Sequence, residues 1–221
     1  MFTRPSLCEI YSVLAEHKAL IVHFSGTPKG GGSDFEDLFP SDLKKVIAGR
    51  SQTGISCSTV MPHDEFRDLC SANATGCIGV ILTLLAPDSV MDVHPTDCGS
   101  YMEDGVRKVP KARDLTKSDL EATISERAKQ SYNEWVIAGY KVIGLFAADP
   151  YRVSARANIS YPHDMPDYLQ TNDTELVFEY KLLEEIEELF PELPIYAFSE
   201  GGVVKRDGST WVSVAHTTLY Y

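Results

Sequence analysis

The chain has 221 residues, 43% of them hydrophobic, which is enough for one sizeable core and sets the expectation of a single domain over 1–221. A formal net charge of −12 creates a field that repels nucleic acid, which argues against a broad phosphate-tracking surface but leaves room for a small basic pocket. No run approaches the length of a membrane span, and the five cysteines (Cys8, Cys57, Cys70, Cys77 and Cys98) form no C-x-x-C pair, so neither a zinc ribbon nor a thioredoxin-like motif is supported.

The first stretch, MFTRPSLCEIYSVLAEHK, has no continuous apolar segment and reads as a soluble helix, not a signal peptide. A cytoplasmic protein with reduced thiols, most of them packed as small hydrophobes, is therefore expected. Within that stretch, Ser6 and Glu9 form a capping box, and Leu7, Ile10, Tyr11 and Leu14 make one apolar stripe of a helix over 6–18. ALIVHF (19–24) reads as a buried strand that runs into the glycine-rich loop SGTPKGGGSD. A short helix over 41–48 is expected between Ser41 as cap and Gly49 as stop. GISCSTV (54–60) is a strand, and a helix near 63–72 follows Pro62. CIGVILTLL (77–85) and SVMDVH (89–94) are strands leading into the loop PTDCGSYMEDG.

Residues 116–131 read as a helix with Ser118 and Glu121 as its box and Leu120, Ile124 and Ala128 on one face. EWVIAG and YKVIGLFA follow as strands. The proline-punctuated stretch near 149–173 reads as an irregular surface insertion. TELVFEYKLLEEIEELFPELP (174–194) reads as an acidic helix with Leu176, Tyr180, Leu183 and Ile186 as its buried stripe. IYAFS, VVKRDG and TWVSVAHTTLYY suggest a closing meander, with Asp207-Gly208 as a hairpin turn. Strands outnumber helices and do not alternate with them in a βαβ rhythm, which predicts an α+β fold, mostly antiparallel, with helices on the flanks.

Several tempting motifs fail on physical grounds. The cluster GTPKGGG (26–32) matches neither phosphate-loop pattern and reads as a loop beside a site. Cys98 and His94 lie four residues apart in a loop, which is no evidence for a thiol with its base. His63, Asp64, His94, Asp97, His163 and Asp164 have no defensible ligand spacing, so no metal is expected.

Glu134 is more informative. It opens an apolar strand directly after a polar helix, where a carboxylate is poorly solvated and well positioned for chemistry. His23 ends an early strand, and Ser56 and Ser58 alternate on a second strand and so share one face. Imidazole, hydroxyls and carboxylate thus follow in order along three strands.

On VHFSG, ISCSTV and RAKQSYNEWVIAGYKVIGLF, about 35 residues in all, the sequence resembles the ADP-ribosyltransferase superfamily. The nearest likeness is to bacterial toxins of toxin–antitoxin or phage-defence type. The resemblance implies a split β core, NAD+ as co-substrate and Glu134 as the catalytic carboxylate. Glu134 would hydrogen-bond the nicotinamide ribose and stabilise the oxocarbenium-like charge that develops as the glycosidic bond breaks. It further implies that His23 holds the adenosine-side ribose and that the main chain at Ser25 or Gly26 grips the nicotinamide amide. Ser56 and Ser58 would position Glu134 or the ribose. Phe24 or Tyr132 would stack on nicotinamide, and Arg50 or Arg67 would meet the pyrophosphate on charge alone.

Two departures shape the expectation. Tyr132 stands where arginine-modifying members carry Glu or Gln, which favours a nucleobase or another side chain as acceptor. SCSTV replaces a clean Ser-Thr-Ser. The implied protein is a toxin that modifies DNA, RNA or protein inside cells and is neutralised by an antitoxin partner. The alternative from another class is a non-catalytic binding protein, of antitoxin, immunity or viral-inhibitor type, whose acidic surface engages a basic target.

Overall fold

The computed structural model describes residues 4–24, 46–49, 54–62, 64, 78–95, 102–103, 106–107, 115–125, 133–147, 153–159, 175–181, 187–188, 190–199 and 202–220. In chain order these include α1 (Leu7–Glu16), β1 (Leu20–Phe24), β2 (Ile55–Val60), β3 (Ile78–Leu84) and β4 (Val90–His94). Then come β5 (Met102–Glu103), β6 (Val106–Arg107), α2 (Lys117–Ser125), β7 (Glu134–Ile137) and β8 (Tyr140–Ala147). The last strands are β9 (Val153–Ile159), β10 (Glu175–Lys181), β11 (Ile195–Ser199), β12 (Gly202–Asp207) and β13 (Thr210–Val214).

The Ser6–Glu9 capping box starts α1, the Glu9 carboxylate accepting from the Ser6 N–H at 2.8 Å. Its buried face is Ile10, Tyr11, Val13 and Leu14. Lys18 then adopts a left-handed φ of 51°, and the Ala19 N–H returns to the Leu14 carbonyl at 2.8 Å. That closure ends the helix and sends the chain straight into β1.

Nine strands form one mixed sheet in the order β13-β12-β11-β8-β3-β1-β2-β7-β4. Its pairings are antiparallel except β11 on β8, so the α+β class holds, with two α-helices among the described residues. The organising feature is a long two-stranded ribbon. β3 pairs with β8, and β4 pairs with β7, so 78–94 and 134–147 run antiparallel to each other around a corner. The β1–β2 hairpin joins the two halves, since β1 pairs with β3 and β2 with β7.

The corner is held by hydrogen bonds from few residues. The Ser89 hydroxyl donates to the Gly139 carbonyl at 2.6 Å, the Ala138 N–H donates to the Ser89 carbonyl at 2.7 Å, and the Leu85 N–H donates to the Gly139 carbonyl at 3.1 Å. The Arg4 guanidinium reaches the carbonyls of Pro87 and Val90 on the same bend. Gly139 has φ +74°, and a Cβ there would lie 3.2 Å from Ser89 Oγ. The C-terminal end locks onto the same core. Thr83 Oγ1 donates to the Tyr220 carbonyl at 2.8 Å, so the Tyr11 hydroxyl supplies the hydrogen of its 2.7 Å bond to Thr83. The Tyr220 hydroxyl donates to the Ala19 carbonyl, and its ring stacks on Tyr11 at 5.3 Å.

The structure corrects several expectations. Glu175–Lys181 is not the start of an acidic helix but strand β10, paired antiparallel with β9 inside the stretch expected to be irregular. ELVFEYK carries Leu, Phe and Tyr at every second position as well as Leu and Tyr at helical spacing, and its Val, Phe and Tyr favour a strand. The box at α2 is Thr116 with Asp119, not Ser118 with Glu121: the Thr116 N–H donates to Asp119 Oδ2 at 2.7 Å. The loop after β4 holds the small β5–β6 hairpin. The last strand stops at Val214 and is followed by a 3-10 turn, His216–Leu219. Most of the expected helix near 63–72 and of that over 41–48 falls outside the described residues, as do residues 182–186 and 189 of the acidic segment, Leu183 and Ile186 among them. Among the described residues no helix is long and apolar enough to cross a membrane.

Gly139→Ala forces a left-handed Cβ against Ser89 and is expected to destabilise the fold by about 1–2 kcal/mol in urea denaturation. Gly208→Ala, at φ +58° with nothing within 4 Å of its Cβ, lacks the added contact and should cost less. Equal effects would show that the corner contact is not tight.

Candidate functional site

The site is built by the alternation of three residues, Asn133, Glu134 and Trp135. Asn133 and Trp135 are fully buried on the side of α2. Asn133 Oδ1 accepts from the Thr59 N–H at 2.9 Å, and its Nδ2 donates to Thr59 Oγ1 and to the Thr123 carbonyl. The Trp135 indole N–H donates to Thr123 Oγ1 at 2.9 Å. With both neighbours anchored on one face of β7, the pleat sends Glu134 to the other.

Register identifies what meets it there. His94 of β4 is the partner of Glu134 on one side. On the other side Cys57 pairs with Trp135, which places Ser58 opposite Glu134, and Ser58 in turn pairs with Val22 of β1. Directly paired residues of an antiparallel ladder share a face with Cβ atoms about 4.5–5.5 Å apart. Val22, Ser58, Glu134 and His94 therefore form one row across four strands.

A bulge completes the row. Val90 pairs with Ile137, but the register shifts before Asp92, which pairs with Val136. Met91 is the extra residue and lies 40% exposed. The shift lets Val90 face the core beside Ile137 while Asp92 and His94 both face the Glu134 side. Asp92 Oδ2 then accepts from His94 Nε2 at 3.0 Å, and Asp92 Oδ1 accepts from the Val93 N–H at 2.9 Å. Asp92, His94 and Glu134 are 4%, 3% and 7% exposed, so two carboxylates and an imidazole share a buried polar row with the Ser58 hydroxyl.

The sheet also splits beside this row. The β1–β2 ladder ends at Val22–Ser58. Beyond it, β1 continues to Phe24 paired with β3, and β2 begins at Ile55 paired with β7. His23 bridges the opening: its Nδ1 meets the Ser56 carbonyl at 2.7 Å, and since a carbonyl only accepts, Nδ1 carries the hydrogen. Strand alternation places His23 on the Cys57 and Trp135 side, while Val22 and Phe24 share the side of Glu134. Phe24 packs edge-on against Phe146, and Phe146 against Phe198, so the β1 side of the split is backed by an aromatic cluster that reaches to β11.

The structure therefore brings His23, Phe24, Ser56, Ser58 and Glu134 onto neighbouring strands, with Ser56 exposed and Ser58 buried. It sets His23 across the pleat from Glu134, and the imidazole on Glu134's own face is His94. Ser25, Gly26, Arg50, Arg67 and Tyr132 lie outside the described residues. The Asp92–His94 pair was missed from sequence, where His94 was weighed only against Cys98 and as a metal ligand. The available signal was D-x-H on a strand, which puts both side chains on one face. Burial, and secondarily the Glu134 carboxylate, push the Cys57 thiol well above its ordinary range, which keeps it a neutral packing group and not a nucleophile. Among the described residues no group of three or more His, Cys, Asp or Glu is placed to hold a metal ion. Comparison with protein-family models, curated proteins and solved structures gave no match.

Asn133→Ala strips partners from the buried Thr59 N–H and Thr123 carbonyl and should destabilise by about 1–3 kcal/mol, read by thermal or urea melting. An unchanged melt would remove Asn133 as the anchor of Glu134.

Proposed function

We propose that the protein is an NAD+-dependent mono-ADP-ribosyltransferase acting on a macromolecule, with a split ADP-ribosyltransferase-like β core. The observation that carries the reading is the adjacency of β1, β2 and β7 at the split, with a buried carboxylate, Glu134, one position beyond the last β2–β7 pair, Cys57–Trp135, and so on the face of Ser58. An enclosed carboxylate suits a transition state in which positive charge grows on a ribose: with little water to screen it, its stabilisation is greatest when the charge appears.

Glu134 would face the nicotinamide ribose and Ser58 would orient its carboxylate. Ser56, exposed at the mouth of the split, would reach the sugar hydroxyls. Phe24 would offer a ring face for the nicotinamide. His23, tied to the Ser56 carbonyl, would hold the two halves of the split at a fixed separation from the face opposite Glu134, and so would not reach the adenosine-side ribose. The acceptor would be DNA, RNA or protein, and an antitoxin partner would neutralise the activity.

Incubation with NAD+ should release nicotinamide and label a component of cell lysate or nucleic acid. Glu134→Gln, which keeps the shape and removes the charge, should lower the rate by about a hundredfold or more. A wild-type protein that releases no nicotinamide and labels nothing would refute the reading. Equal rates in the two proteins would remove Glu134 from the mechanism.

A further inference from the structure

We propose that two copies of the chain associate through β13, pairing antiparallel across a two-fold axis so that the sheet of one runs on into the sheet of the other. The inference is independent of the transferase reading. Among the described residues β13 and β4 are the two ends of the nine-stranded sheet, and they are built differently. β4 carries the register shift at Met91 and the inward carboxylate of Asp92, and both devices blunt an edge against further pairing. β13 reads TWVSV. It holds no charge and no proline, and its ladder with β12 runs without a shift. Thr210, Val212 and Ser213 are exposed, Val212 to 47%, so the edge stands open where an apolar side chain is also bare.

The hairpin fixes which backbone groups face outward. A two-residue loop, Gly208 and Ser209, joins β12 to β13, and Asp207 and Thr210 close it as a hydrogen-bonded pair. Bonded and non-bonded pairs then alternate. Lys205–Val212 and Val203–Val214 exchange bonds within the hairpin, while Trp211 and Ser213, opposite Arg206 and Val204, turn their N–H and C=O groups to the open edge. A two-fold axis normal to the sheet keeps every residue on its own face. Centred on Val212, the pairing sets Trp211 against Ser213 of the partner subunit, so the outward groups of both strands are satisfied. Val212 meets the partner's Val212 at a non-hydrogen-bonded position, where cross-strand side chains come closest. The strand is thus complementary to itself, as a two-fold contact requires. Charge fits the same arrangement. Lys205 and Asp207 are the ionic groups of the hairpin on the Val212 face, and both stand on β12, away from the seam. The two copies of Lys205 lie three strand spacings apart, about 14 Å, beyond the screening length at physiological salt. The small contact and the net charge of −12 on each copy make the dimer weak and favoured by salt.

The test is analytical ultracentrifugation of the full chain at physiological salt over a concentration series up to about 1 mM, where even a weak pairing is populated. Three variants accompany it: Val212→Lys, Ser213→Pro and, as a control at another exposed apolar position, Leu85→Lys. The wild type and Leu85→Lys should pass from monomer to dimer as concentration rises, while Val212→Lys and Ser213→Pro stay monomeric. Proline at 213 removes an N–H that points away from β12, so its melting temperature should match the wild type. If it unfolds instead, the outward assignment of Ser213 is wrong and the proposal falls with it. Val212→Lys, at an exposed site, tests the seam without touching the backbone. In the wild type the Trp211 and Ser213 amides should also exchange more slowly with rising concentration, while those of Val212 and Val214 are protected throughout. A chain that is monomeric at every concentration overturns the proposal and leaves the edge to a strand of another protein. A dimer that survives Val212→Lys and Ser213→Pro, or one that Leu85→Lys abolishes, places the contact elsewhere and overturns it too.

Discussion

A carboxylate stays below the surface of this protein because its two chain neighbours are fastened on the opposite side of the strand. Asn133 gives hydrogen bonds to Thr59 and Thr123 and receives one from the Thr59 amide, and Trp135 gives one to Thr123. All four residues are buried, so letting Glu134 swing outward would mean breaking several buried hydrogen bonds at once. Glu134 accordingly stays on one face of the strand, and register sets its neighbours there: Ser58 on the β2 side and His94 on the β4 side. Preorganisation of this kind is what gives a charged group differential value in a transition state, since no reorganisation remains to be done at the moment of reaction.

The corner of the ribbon explains why such a row exists. β3 and β4 would be one strand, and β7 and β8 its partner, but for the bend fixed by Ser89, Gly139 and Arg4. The bend divides the ribbon into two halves that β1 and β2 approach from opposite sides, and the β1–β2 ladder gives way at Val22–Ser58. On the β1 side of the split stands Phe24, packed on Phe146; on the β2 side stand Ser58 and, on the strands beyond, Glu134, His94 and Asp92.

Much of this was legible in the sequence, and the failures have physical causes. The strands of the central sheet are short apolar runs between turn signals, and β1 to β4, β7 and β8 fall where patterning put them. The capping box at Ser6 is local and was read correctly. At α2 two boxes overlap in TKSDLE, and Thr116–Asp119 forms because the helix begins one residue after Thr116. The segment at 175–181 satisfied both periods, and only pairing with β9 decided between them, which is non-local information. The position of Glu134 at a strand start was visible, but its partner His94 was not. Which residues face each other across β4 and β7 depends on the Met91 bulge, and nothing in VMDVH announces a shifted register. Likewise the order His23, Ser58, Glu134 predicted neighbouring strands but not the pleat that sets His23 on the far face.

The most direct measurement is a crystal structure of the protein with NAD+ at saturating concentration. The account predicts the nicotinamide ribose at the split between β1 and β2, its 2′-hydroxyl within hydrogen-bond distance of Glu134 and on the face that Glu134 shares with Ser58 and His94. A dinucleotide seated on the Asn133 and Trp135 side, or a split that stays empty while Glu134 turns to bulk water, would contradict it.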